Sequence, residues 1–326
     1  MTDTARPVIV ADVGGTNTRV ALAHGSMVDT GSIRRFRNAG VARLEDVLRR
    51  YLDDTAPGPV AGACVALAGP VRNGAAQMTN LGWALTEADL AAATGAARES
   101  VALLNDLQAQ GQALDGLAPE HLQPLRAGKP EPGAARLVIG FGTGVNAAAV
   151  HPLPGGGWLV PAAEAGHIHL PVADDTDAAL AAWMRTEPGF ASVEDVLAGS
   201  GLERLYRFHA QRTGTPERLD AAAIMAGIDA GAPRACAVGA HYIRLMARYA
   251  ALLALVHLPF GGICFIGGVA RAFAPHAEAL GFDAAFREMG RFSDFMDAFP
   301  VSVLTDDYAA LTGSAVYLDA MLRRQK

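Results

Sequence analysis

Cysteine is scarce in this 326-residue chain: Cys64, Cys236 and Cys264 are far apart, each among apolar or small residues. No two have CxxC spacing, which excludes a disulfide framework or a cysteine zinc site as the organising feature. Charge is also sparse. Charged residues make up 18% against 51% hydrophobic, which excludes a disordered chain and suits substantial cores. Basic residues are outnumbered, 27 Lys and Arg against 33 Asp and Glu, a net charge of −6 with no basic cluster. That balance argues against a nucleic acid or a membrane surface as the main partner. Long apolar runs are missing too. The most apolar helical stretch, around 250–258, holds His257 and stops at Pro259, too short to span a bilayer. The N-terminus, MTDTARPVIV, lacks a charged-then-apolar signal design. A cytoplasmic protein is the simplest expectation, and the length allows two domains of ordinary size.

Glycine, by contrast, is placed with purpose. Residues 8–22 read as an apolar strand, a tight turn with Asp12, Gly14, Gly15, Thr16 and Asn17, and a second strand. The turn is either an ordinary glycine hairpin or a place where main-chain N–H groups approach an anion. The pattern recurs: a strand at Arg136–Phe141, the turn Gly142-Thr143-Gly144, and a strand over 145–150. Two such units suggest a duplicated plan, and strands interleaved with helical stretches predict an α/β fold. Gly140, Gly142 and Gly144 are not a dinucleotide fingerprint, because a strand and not a helix follows.

The remaining pattern supplies polar groups at element ends. Residues 27–36 read as a third strand and 44–52 as a short amphipathic helix ended by Pro57-Gly58-Pro59. Residues 63–68 read as a buried strand. Thr86 reads as an N-cap with Asp89 as its partner. Residues 101–104 form an apolar strand running into Asn105 and Asp106, then a helix. Asp106 is either that helix's cap or a carboxylate at the strand end where α/β proteins open their crevices. Residues 118–134, rich in Pro and Gly, read as a loop or domain connector. Glu164 and His167 stand three apart in 161–171 and can face one pocket, pair with each other, or form half a metal site that lacks a third ligand. His169 reads equally well as a surface residue. Residues 178–254 read as mostly helix, with caps at Ser192 and Asp220 and with Glu194 near one helix start. A strand over 263–266, Gly267-Gly268 with a short helix, a strand over 301–304 and a helix over 309–322 complete the chain. That last helix is expected to pack back on the first domain.

Asp12-Val13-Gly14-Gly15-Thr16-Asn17-Thr18-Arg19 resembles the first phosphate-binding hairpin of the actin/sugar-kinase superfamily. Leu103-Leu104-Asn105-Asp106, Gly140-Phe141-Gly142-Thr143-Gly144, Glu164-Ala165-Gly166-His167 and Gly267-Gly268-Val269-Ala270 follow in the order of the bacterial glucokinase family. The ROK branch of sugar kinases typically has a cysteine-rich zinc motif after its E-x-G-H. Here no cysteine falls between Glu164 and Cys236, so the chain resembles the non-ROK branch.

The resemblance implies a two-domain, actin-like ATPase (ribonuclease-H-like) α/β fold with an interdomain cleft. The domains would be 1–114 plus 306–326 and 115–305. It implies ATP-dependent phosphorylation of D-glucose at the 6-hydroxyl, with Asp106 as general base. Asn80, Asn105, Asp106, Glu164, His167 and Glu194 match sugar-binding positions. Ala11, Asp12, Val13, Gly14, Gly15, Thr16 and Asn17, with Gly142, Thr143, Gly144, Gly267 and Gly268, would hold ATP. Asp12 would hold Mg2+ through water. If so, Gly15 and Gly144 tolerate no side chain. A homodimer is the expectation for assembly.

The chain departs from the family in three places. Ala11 replaces the usual Gly before the first Asp. Val145-Asn146 replaces Leu-Gly after G-T-G, where Asn146 would narrow the approach to the γ-phosphate or bond to it. The run Asp306-Asp307-Tyr308-Ala309-Ala310-Leu311-Thr312-Gly313 keeps only part of D-N-x-G-L-x-G. These changes bear on nucleotide affinity and donor choice more than on sugar chemistry, and they motivate one alternative, a sugar-sensing regulator with weakened catalysis. A kinase for another hexose is a separate alternative.

Overall fold

The first apolar run, Val8–Val13, is strand β1, and alternate residues of it face different cores. Ile9, Ala11 and Val13 join one cluster, Val8 and Val10 the other. A strand covered on both faces must be apolar throughout, which explains its near-continuous run. The computed structural model describes residues 6–78, 81–186 and 190–325. Strand β2 (Asn17–His24) returns antiparallel to β1, and both β3 (Met27–Val28) and β4 (Arg34–Arg37) pair with β2. The expected single strand over 27–36 is therefore two. A 3-10 turn at Thr30–Ser32 breaks it, where Asp29 accepts from Gly31 N at 3.0 Å and Ser32 Oγ accepts from Leu22 N at 2.8 Å. A side chain occupies the donor that a continuous ladder would need.

Helix α1 (Leu44–Thr55) buries Leu44, Val47, Leu48 and Tyr51 against the Ile9 face. Strand β5 (Gly62–Leu67) runs parallel to β1. Strands β6 (Val71–Arg72), β7 (Ala75–Met78) and β8 (Trp83–Thr86) make a small separate sheet. Helix α2 (Glu87–Thr94) starts on a full capping box between Thr86 and Asp89. Strand β9 (Val101–Asn105) runs parallel to β5 and leads into α3 (Asp106–Ala113). The Val8 face of this sheet is covered by the C-terminal helix, through Ala310, Leu311, Ala315 and Leu318.

The second sheet repeats the plan. Strand β10 (Leu122–Arg126) lies at an edge, followed by β11 (Arg136–Phe141) and β12 (Val145–Pro152), an antiparallel hairpin. The 118–134 region was expected to be loop. It holds β10 because Pro124 is tolerated on an edge strand, where the register shifts between Pro124 and Arg126. After the short strand β13 (Trp158–Leu159) come α4 (Asp175–Met184), α5 (Val193–Leu197), α6 (Gly199–Arg212), α7 (Ala221–Asp229) and α8 (Pro233–His257). Ser192 and Asp220 cap α5 and α7 as expected. Strand β14 (Ile263–Ile266) runs parallel to β11, then come α9 (Gly268–Phe273) and α10 (Phe282–Arg287). Strand β15 (Val301–Leu304) is parallel to β14, and α11 (Ala309–Arg324) ends the chain. Thus β12-β11-β14-β15 matches β2-β1-β5-β9: an antiparallel hairpin, then two parallel neighbours. Phe141 and Phe265 meet edge to face at 5.1 Å in the second core. Among the described residues no single helix is long and apolar enough to cross a membrane.

The chain divides into two compact units: Met1–Ala118, Leu153–Ala162 and Asp306–Lys326 form one, Pro119–Pro152 and Ala163–Thr305 the other. Residues 115–118 and 153–162, expected in the second domain, cluster with the first. The cause for the latter lies in α3: Gln108 Nε2 donates to Val160 O at 2.7 Å and Gln112 Nε2 to Trp158 O at 3.1 Å.

The second unit's core also encloses a polar relay. Asp177, fully buried, accepts from His241 Nε2 at 2.9 Å and from Arg248 Nη1 at 2.7 Å. Burial raises its carboxyl, but the hydrogen bonds from His241 and Ala173 N, with the charges of His241 and Arg248, outweigh that and leave it below the ordinary value. Because His241 Nε2 donates, a neutral His241 accepts at Nδ1, where His209 Nε2 lies at 3.0 Å. Burial, then the neighbouring His241, Arg212 and Arg244, lowers His209 from 6.5 to about 4.

The unfolded chain therefore takes up this proton near 6.5 and the folded chain only near 4. Stability is lost as pH falls through that window, and no more is lost from this group below it. Thermal unfolding followed across the window should show the midpoint falling towards acid. His209→Gln, which still donates to His241 but does not titrate, should flatten that part of the profile.

Candidate functional site

The first unit gathers its polar groups at one sheet edge. Val13, Leu67 and Asn105 end β1, β5 and β9 in register, Val13 opposite Leu67 and Leu67 opposite Asn105. Adjacent strands lie about 4.8 Å apart, so the Asp12 turn and Asp106 leave one edge about 10 Å from each other. This is the carboxyl end of a parallel sheet, where α/β proteins bind ligands.

The turn itself is braced by a residue that the sequence reading missed. Buried Asn38 donates from Nδ2 to Gly14 O at 2.8 Å, accepts from Thr18 Oγ1 at 2.8 Å, and its amide donates to Thr16 O at 2.9 Å. Gly14 N closes the turn on Asn17 O at 3.0 Å. No local signal marks this role of Asn38, because the turn residues it bonds lie at least 20 residues away. Ala11 and Val13 turn their side chains into the core, so only their backbone can meet a ligand. A Cβ on Gly15 would meet no protein atom within 4 Å; chain packing does not require glycine there. Burial raises the Asp12 carboxyl, partly offset by Arg19, whose Nη1 lies 3.0 Å from Oδ2.

At the end of β9, Asn105 and not Asp106 is the helix N-cap. Asn105 Oδ1 accepts from Leu107 N at 3.0 Å, and Gln108 Oε1 accepts from Asn105 N at 3.1 Å. Asn105 Nδ2 donates to Gly69 O at 3.1 Å, leaving one N–H of the amide for other use, while its Oδ1 is taken by the capping box. Asp106 is the first residue of α3, half-buried, with Oδ1 accepting from Leu107 N at 2.9 Å. The cap role is therefore filled by its neighbour. Asn80, a predicted sugar-binding position, lies outside the described residues.

The second unit has its own edge. Gly142 N donates to Gly144 O at 3.0 Å across the second glycine turn, and Gly142 O accepts from Gly199 N at 2.9 Å. Thr143 is exposed in this turn. Gly267 follows β14 at φ 103°, and a Cβ there would lie 2.3 Å from Phe141 O. Glycine is thus obligatory at 267 for packing alone. Gly142 and Gly268 have open space at the Cβ position.

Glu194, near the start of α5, reaches this turn. Its Oε2 accepts from Val145 N at 2.8 Å and would lie 2.6 Å from a Cβ on Gly144. A side chain at Gly144 would therefore displace the Glu194 carboxylate and would not strike backbone. Glu164 and His167 are both exposed; Glu164 precedes and His167 ends a one-turn 3-10 helix at Ala165–His167. Asn146 Oδ1 accepts from Ala165 N at 2.8 Å and Nδ2 donates to Ala163 O at 2.6 Å. The side chain expected to face a phosphate is spent instead on the backbone around Glu164. The His169 ring lies 4.4 Å from that of Phe190, tilted by 46°, and among the described residues no three His, Cys, Asp or Glu side chains group as a metal site.

A family profile described as Glucokinase matches residues 9–321. The glucokinase of Saccharophagus degradans is 31% identical over 320 residues, covering 97% of this chain and 99% of that protein. The crystal structure of a glucokinase from an Antarctic psychrotroph matches with a TM-score of 0.83 and 29% identity, over 96% of this chain and 98% of that one. The ROK hexokinase from Thermus thermophilus matches at a TM-score of 0.68 and 21% identity, over 98% and 99%, a likeness of fold alone.

Glu194 has a structural duty before any ligand arrives. Truncation in Glu194→Ala would leave the buried Val145 amide without its acceptor, a loss of about 1–3 kcal/mol. Urea unfolding of the ligand-free variant should show it. A carboxylate that served only a bound ligand would leave that midpoint unchanged.

Proposed function

The chain belongs to the glucokinase family, has the two-domain actin-like ATPase fold and phosphorylates glucose with ATP, and from that premise we propose how its residues divide the work. Asp106 is the general base: it orients the glucose 6-hydroxyl and accepts its proton as oxygen bonds to the γ-phosphorus. Such assistance is worth about 10²–10⁴ in rate. Asn105, Glu164, His167, Glu194 and Asn80 hold the sugar hydroxyls. The observation that carries this reading is the in-register edge of β1, β5 and β9, which brings Asp106 and the Asp12–Asn17 turn to one side of one sheet.

ATP is held by backbone amides of the two glycine turns, Asp12, Gly14, Gly15, Thr16 and Asn17 in one and Gly142, Thr143 and Gly144 in the other. The open Cβ positions at Gly15, Gly142 and Gly268 support close approach of a ligand, since no protein atom explains glycine there. Gly267 and Gly268 carry the adenosine. Mg2+ needs one or two carboxylates and keeps several waters, and Asp12 fits: it is a hard oxygen donor whose burial only Arg19 offsets. When bound there, the ion supplies neutralising charge to the phosphate oxygens. The reading also includes a cytoplasmic setting, expected from the N-terminal sequence and the short apolar stretches, and a homodimer, supported by family resemblance.

Asp106→Asn separates base chemistry from folding. Turnover with glucose and magnesium-ATP should fall by about 10²–10⁴ while glucose binding is kept. The variant also loses a first-turn helix carboxylate, about 0.3–1 kcal/mol, so thermal unfolding should shift only slightly. Near-normal kcat would remove Asp106 from the mechanism.

A further inference from the structure

Asn146 stands where the family's G-T-G run ordinarily continues to glycine, and one planar amide there grips both peptides flanking Glu164. Its Nδ2 donates to Ala163 O at 2.6 Å, and its Oδ1 accepts from Ala165 N and from Ala147 N, each at 2.8 Å. Glu164 needs such a clamp. It sits at φ −124° and ψ 53°, outside helix and strand geometry, and no regular ladder sets its direction. On the far side Gly166 lies directly on β12, where a Cβ would meet Val145 O at 1.8 Å. Glu164 is thus held before it by a side chain and after it by close backbone contact, while its own carboxylate is exposed.

We infer that Asn146 is a positioning residue: it presets the Glu164 carboxylate and so raises affinity for the hexose, not for the nucleotide. The inference rests on the assignment of Glu164 to sugar binding. A carboxylate already fixed loses less freedom when a hydroxyl binds it, so the clamp appears in the sugar's dissociation constant. A glycine at 146 offers no side chain, and the two peptides then turn to solvent.

The test compares wild type, Asn146→Gly, Asn146→Asp, Glu164→Gln and the Asn146→Gly/Glu164→Gln double variant. Glucose affinity is read by calorimetry, KM for magnesium-ATP by steady-state assay, and folding by thermal unfolding. Asn146→Gly should weaken glucose about tenfold, the scale expected for losing two hydrogen bonds. KM for ATP should stay within about twofold, and the glycine should add nothing once Glu164 is Gln, because both changes act on one group. Should the glycine variant fold poorly, Asn146→Asp keeps the side-chain size, removes the donor to Ala163 O and turns a carboxylate oxygen towards that carbonyl; it too should weaken glucose. Unchanged glucose affinity in both variants, an equal rise in KM for ATP, or additive effects in the double variant would overturn the inference alone. Wild-type glucose affinity in Glu164→Gln would overturn the assignment of Glu164, and the inference with it.

Discussion

Register between parallel strands is the constraint on which this molecule depends. Because β1, β5 and β9 run the same way and end together at Val13, Leu67 and Asn105, whatever follows each strand emerges on one edge. The second unit repeats this with β11 and β14, which bring Phe141 and Gly267 side by side. Covering both faces of such a sheet demands apolar runs in the strands, so polar chemistry is displaced to the turns. Asp12, Asp106, the two glycine turns and Gly267 all sit where a strand stops.

The turns are not free to choose their shape. Asn38 ties Gly14, Thr16 and Thr18, and Glu194 ties Val145. Asn146 ties Ala163 to Ala165. In each case one side chain satisfies main-chain groups that a tight turn leaves without ladder partners. Asn38 and Asn146 only brace the turns, whereas Glu194 does so besides the sugar contact proposed for it. Asn105 is a further instance: it is the N-cap of α3, and Asp106 is the first residue of the helix. Asn146 also bears on the regulator alternative, whose motive was a substituted phosphate loop. Its side chain serves the Glu164 backbone, so the substitution is compatible with catalysis.

What could be read from the sequence was local. Buried strands announce themselves by apolar runs, caps by Thr86, Ser192 and Asp220 placed before helical periodicity, and glycine turns by their neighbours. Even the duplicated plan was visible, because each half repeats strand, glycine turn and strand. The failures have one physical origin. Residues 27–36 break because Ser32 bonds back to Leu22, β10 forms because β15 lies beside it, and 153–162 belongs to the first unit because Gln108 and Gln112 reach it. Each depends on a partner distant in the chain.

The amino-acid sequence by itself determined the α/β class, the family, the two glycine turns and the identity of the acid at the end of β9, since these follow from residue type and near-neighbour spacing. Only the tertiary structure decided that Asn105 rather than Asp106 caps α3, that Glu194 serves Val145, and that Asn146 grips the peptides around Glu164. A hydrogen bond between residues 17 or 49 positions apart leaves no periodic trace in the chain; it exists only once two segments have been brought together by burial of apolar surface elsewhere.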